Sequence, residues 1–247
     1  MNTKRNIIFL LSALFFYTIN ISNAEAMHIA DGILPAGWSF LWWALSLPFL
    51  AYGVRQIKRE SALNRQFKPL AGLVGAAVFI ISCLPVPVPF AGVTSHPTGI
   101  GIAAIIVGPG IAVVMASIAL TLQALFLAHG GIVTLGANIF SMGVVGGFCG
   151  YGVFIGLRRL GFSFFVAAFF AGLISDWSTY AATSGILSAG LYEPGTFWQM
   201  FITLVAAFSP TQIPLGILEG FLTASAVKFI RVRLPGLSFG AMKGGAA

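Results

Sequence analysis

The chain has 247 residues, of which 58% are hydrophobic and only 8% charged, and its formal net charge is +7. So little polar surface excludes a water-soluble globule of this size and places the chain in a bilayer. The positive charge sits in small Lys and Arg groups between long apolar runs, which is a topology signal facing lipid head groups and implies no nucleic-acid partner.

The chain opens with Lys4 and Arg5, an apolar run over 7–19 and then Ala24-Glu25-Ala26, a small-x-small signal-peptidase pattern. The run is short for a membrane span, so residues 1–26 are expected to be a cleaved signal peptide, with Met27 as the first residue of the mature chain. Residues 27–247 then form a single transmembrane domain, since no linker or low-complexity stretch divides them.

Residues 38–54 read as the first mature span, followed by a dense basic loop of Arg55, Lys58, Arg59, Arg65 and Lys68 that is expected to be cytoplasmic. A second span over 70–84 emerges into Pro85-Val-Pro-Val-Pro89, a rigid extended segment that cannot continue a helix. The following loop, with His96, is therefore outside. Residues 99–128 are too long for one helix, and Gly108-Pro109-Gly110 divides them into a short span or half-helix and a full one.

Spans over 138–157, 162–189 and 203–230 follow, with Arg158-Arg159 and then Lys228, Arg231 and Arg233 on the side of the first basic loop. The reading is an all-α polytopic bundle of about seven spans in an inner cell membrane, mature amino terminus outside and carboxyl terminus cytoplasmic. Three glycine pairs at four-residue spacing, 143/147, 152/156 and 216/220, offer small faces for close helix packing. Cys83 and Cys149 lie in apolar segments without ligand spacing and read as small buried hydrophobes.

The chain has three histidines, His28, His96 and His129, and the topology puts all of them on the outer face. A histidine that directly follows a free amino terminus can chelate through the terminal amine, its own amide nitrogen and one ring nitrogen, a set that favours a square-planar ion. His96, presented by its proline flanks, is the better candidate for a fourth nitrogen, which leaves His129 in a supporting or structural role. Asp31 is close enough to the new terminus to fix its loop or screen a cation.

Asp176 and Glu219 fall near the middle of spans, where an ionisable group is costly and faces the protein interior; a polar pathway, a helix-coupling contact or a neutral packing element all fit. No GxxxxGK[ST] phosphate loop, HExxH pair or nucleophile elbow occurs, so the chain has no recognisable means of hydrolysing ATP.

The segments MHIADGILP at 27–35, TSHPTGIG at 94–101 and QALFLAHGGIVTLGANIFSM at 123–142 resemble the substrate-capture subunits of cobalt and nickel energy-coupling-factor transporters, the CbiM/NikM type. The resemblance covers nearly the whole mature chain. It implies a metal held by the amine of Met27, the backbone nitrogen and ring of His28 and the ring of His96; Asp31, His129 and Asn138 are candidates for a supporting or structural role. It also implies a transmembrane coupling subunit, two cytoplasmic ATPases and a small accessory membrane protein as partners. The tail after Arg233 is short, so no accessory domain is expected to be fused.

Many such proteins begin directly at the Met-His pair; here the pair is internal, and the amine ligand depends on cleavage after Ala26. The function expected is capture of Co²⁺ for import, serving cobalamin synthesis, with no permanently bound cofactor and no enzymatic activity. Ni²⁺ import by the same mechanism is the alternative. An intramembrane metal enzyme using Asp176 or Glu219, or a non-catalytic scaffold, are the readings from other classes.

Overall fold

A computed structural model describes residues 25–26, 28–84, 86–87 and 93–233. Residues 1–24, where the signal peptide is expected, Met27, most of the proline-rich segment and the carboxyl tail lie outside the described residues.

Among the described residues, seven helical segments follow one another: α1 (Ala36–Leu63), α2 (Phe67–Ser82), α3 (Ile100–Val107), α4 (Pro109–Phe126), α5 (Leu135–Arg159), α6 (Phe164–Leu191) and α7 (Phe197–Arg233). Four of them, α4 to α7, are long and apolar enough to cross a membrane, and α2 is a shorter apolar helix. Three very short strands, β1 (Glu25–Ala26), β2 (Val86–Pro87) and β3 (Val93–Ser95), form a small sheet in the order β1-β3-β2. The protein is an all-α integral membrane bundle, as the composition and the long apolar runs predict.

Its polarity is inverted relative to a soluble protein. Phe40, Phe126 and Trp198 are largely exposed, whereas Ser46, Gln123, Asn138, Asp176 and Glu219 are buried. Lipid accepts the apolar exterior, and polar side chains can be tolerated only where other protein groups satisfy them.

The break at Gly108 occurs where the sequence predicts it. Gly108 adopts φ +94°, ends α3 and precedes Pro109, whose fixed φ suits the first position of α4. The eight residues of α3 span roughly 12 Å at 1.5 Å per residue, far short of the hydrocarbon core. All eight are buried, so α3 is a half-helix enclosed by protein.

Helix α5 contains a π-helical stretch over Ile139–Gly146. Gly143 lies against α4, where a Cβ would meet the Val113 Cα at 3.2 Å. Gly146 lies against α6, where a Cβ would collide with the Thr179 hydroxyl. At 216/220, a Cβ would strike Trp177 and the Phe169 carbonyl, so this pair is a true packing face. The 152/156 pair has nothing within 4 Å, contrary to the expectation from spacing alone.

Cysteine needs a second correction: Cys83 is half-buried and Cys149 exposed, both free thiols, because the face of α5 carrying Cys149 points away from the bundle.

Basic side chains from two separate segments meet at one end of the bundle. Arg158 and Arg231 both lie over the Phe164 ring, at 5.9 and 4.6 Å from its centroid. The basic residues Arg55, Lys58 and Arg59, expected in a loop, extend α1, and Gln56 among them packs beside Gly110 at the start of α4. The three histidines gather at the opposite end of α4, where His129 follows Phe126.

Candidate metal centre

The site is assembled from three loops outside the membrane-spanning helices. The amino-terminal arm carrying His28 is anchored first at Ile29. The Asn138 Oδ1 accepts the Ile29 N–H at 2.9 Å and its Nδ2 donates to the Ile29 carbonyl at 3.1 Å, while the Thr134 hydroxyl donates to the same carbonyl. Two residues on, the Asp31 carboxylate accepts the backbone N–H groups of Ile132, Val133 and Thr134 at 2.9, 2.8 and 3.1 Å. Asp31 and Asn138 thus hold the arm against the 129–138 segment.

The two glycines after His129 are required by that contact. A Cβ at Gly130, which has φ +84°, would come within 2.9 Å of the His28 Cβ, and one at Gly131 would overlap the Asp31 carboxyl. Just before them, Ala128 takes a left-handed φ of 49° and the His129 N–H returns to the Gln123 carbonyl at 3.2 Å. This reversal swings His129 back toward the arm.

The result is a triangle of imidazoles. Ring centroids stand 4.7 Å apart for His28 and His96, 4.9 Å for His28 and His129, and 5.1 Å for His96 and His129. One ring nitrogen from each lies within 4.8 Å of the others. Three nitrogens spaced evenly around one ion at ~2.0–2.1 Å stand about 3.6 Å apart, so each ring needs to move toward the centre by less than about 1 Å. The Nε2 atoms of all three are buried and meet no hydrogen-bond partner.

Three unpartnered buried ring nitrogens pointing into one space form a donor set for a soft or borderline cation. For His96 the tautomer follows from its surroundings. Its Nδ1 lies 3.0 Å from the Pro97 carbonyl, an acceptor, so Nδ1 carries the proton and Nε2 keeps its lone pair.

Protonation is disfavoured throughout. Burial lowers His28 well below the usual histidine value, and the neighbouring His96 and His129 lower it further, against a smaller opposing effect of the Gln123 side chain. Burial likewise lowers His96, and it brings His129 down to about 4 with His96 adding to the effect. Neutral imidazoles with free lone pairs are the form that binds metal.

Of the residues singled out in the sequence, His28, His96, His129, Asp31 and Asn138 are brought together, and Met27 lies outside the described residues. His129 stands as near to the other two rings as they do to each other, a position that proline flanks and chain order did not suggest. Asp176 and Glu219 lie in α6 and α7 and do not reach the imidazoles directly.

Sequence reasoning gave no role to Gln123, Tyr180 or Thr98. Gln123 is buried beside His28, and its Nε2 donates to the Ser82 carbonyl and hydroxyl at 3.0 and 2.8 Å, which leaves its carbonyl oxygen free of other partners. A lone amide inside an apolar span was the signal available.

The family model for the cobalt uptake substrate-specific transmembrane region, CbiM, matches residues 28–237. The chain is 55% identical over 214 residues to a cobalt transport protein CbiM of Geobacter sulfurreducens, covering 87% of this chain and 62% of that longer protein. It is 51% identical over 209 residues to a cobalt transport protein CbiM of Sorangium cellulosum, covering 85% and 93% of the two chains. A crystal structure of a truncated transition metal transporter has the same fold, with a TM-score of 0.74 at 24% identity over 83% of this chain and 99% of that one. The chain belongs to the CbiM family.

Proposed function

We propose that this protein is the membrane subunit that captures Co²⁺ outside the cytoplasm for import. The observation that carries this reading is the convergence of three imidazoles whose buried Nε2 atoms meet no hydrogen-bond partner, one of them on the residue that follows Met27. Relatives that are half identical and named cobalt transport proteins support cobalt as the cargo.

After cleavage behind Ala26, the Met27 amine, the His28 amide and ring, and the His96 ring supply four nitrogens, and the His129 ring closes the remaining side. Signal removal is then a step of site assembly. Because the chain has no phosphate-binding loop, ATP hydrolysis falls to partners: a transmembrane coupling subunit, two cytoplasmic ATPases and a small accessory membrane subunit. The basic end of the bundle, with Arg158 and Arg231, faces the cytoplasm under the positive-inside rule.

A nitrogen-rich donor set favours nickel as the second reading, since divalent affinities rise from Co²⁺ to Ni²⁺. The test is amino-terminal sequencing of the purified protein with Co²⁺ and Ni²⁺ titrations of wild type, His28→Ala and His96→Ala. Tight binding is expected in the wild type and lost in both variants. Tight binding retained in both would overturn the site, and a variant with one residue added before Met27 that takes up metal unchanged would overturn amine ligation.

A further inference from the structure

Glu219 lies in α7 and is fully buried, although α7 is the helix whose most apolar stretch is least buried of the four. A carboxylate in such a place needs compensation. It finds it in one turn of chain. Its Oε2 accepts the Thr98 N–H at 2.6 Å, and its Oε1 accepts the Thr98 hydroxyl at 2.6 Å and the Gly99 N–H at 2.9 Å.

This turn is the direct continuation of His96-Pro97 and the start of α3. Gly99 there has φ +65°, a left-handed conformation, and places its N–H alongside that of Thr98. From α6, the Tyr180 hydroxyl donates to the His96 carbonyl at 2.9 Å. The backbone that carries His96 is therefore gripped from α6 on one side and α7 on the other.

Asp176 completes the arrangement. No N–H or hydroxyl donor points at its carboxyl oxygens, and it lies against Glu219.

We infer that Glu219 is a positioning residue for His96: its carboxylate sets the Thr98-Gly99 turn and through it the aim of the His96 ring. The inference rests on the metal-capture reading. It ties the histidine site to the last helix of the bundle by a three-bond clamp.

The test uses the purified full chain with its processed terminus confirmed, titrated with Co²⁺ alone and followed by the visible absorption of the bound ion. Glu219→Gln turns one oxygen into an amide NH2 group that faces an N–H donor, and is expected to weaken Co²⁺ binding by about 10- to 100-fold. At saturating metal its spectrum should move toward that of His96→Ala, a change that loss of stability alone would not produce.

Thr98→Val, which removes one charge-assisted bond while keeping the side chain's shape, should weaken binding by about 10-fold, whereas Thr98→Ser should restore it. A folded Glu219→Gln with wild-type affinity and spectrum overturns the inference. If that variant fails to fold, an unchanged Thr98→Val overturns it. Absence of Co²⁺ binding in the wild type would instead defeat the metal-capture reading itself.

Discussion

Asn138 pairs with Ile29 as one strand residue pairs with another, its amide side chain accepting from the Ile29 N–H and donating to the Ile29 carbonyl. The contact joins residues 109 positions apart and fixes the backbone immediately after His28. Asn138→Asp replaces the donor with an oxygen that faces the Ile29 carbonyl. Co²⁺ affinity is expected to fall by about 10- to 100-fold, measured by titration, with the helical circular dichroism unchanged.

Asp31 gathers three consecutive backbone N–H groups of the 132–134 loop. Asp31→Ala should loosen the arm by about 1–2 kcal/mol, below the full value of three bonds because the group is exposed and water replaces it. Hydrogen exchange at Ile132, Val133 and Thr134 should accelerate. Unchanged protection there would show that the arm is held by Asn138 and Thr134 alone.

Glycine substitutions separate packing from spacing. At Gly136 a Cβ would lie 2.6 Å from the Trp43 backbone nitrogen and Cα, where α5 crosses α1, so Gly136→Ala should lower the Tm by several degrees. The contact is reinforced by Ser46 donating to the Gly136 carbonyl at 2.8 Å. Gly152→Ala, with nothing within 4 Å, should leave the Tm unchanged or raise it slightly through helix propensity.

The histidines also give the protein a predictable acid response. An unfolded chain protonates its histidines near pH 6.5, whereas folded His129 does so only at about 4. Between these values the unfolded state holds more protons, so metal-free stability should fall as pH drops from about 6.5 toward 4 and be independent of these rings above that range. Imidazole NMR of the metal-free protein should show a neutral His129 ring at pH 5.5.

The sequence by itself determined the solvent, the order of the helical segments among the described residues and the break at Gly108. Each depends on local composition or on neighbours within a turn, and such properties need no partner from elsewhere in the chain. The tertiary structure decided what 30 to 120 residues of separation conceal. It brought His129 level with His96 through the Ala128 reversal, and gave Gly130 and Gly131 their reason in His28 and Asp31. It also turned Glu219, an isolated acid in an apolar run, into the acceptor of the Thr98-Gly99 turn. Pairwise contacts of this kind depend on which helix faces cross and at what height, and hydropathy along one chain carries no record of either.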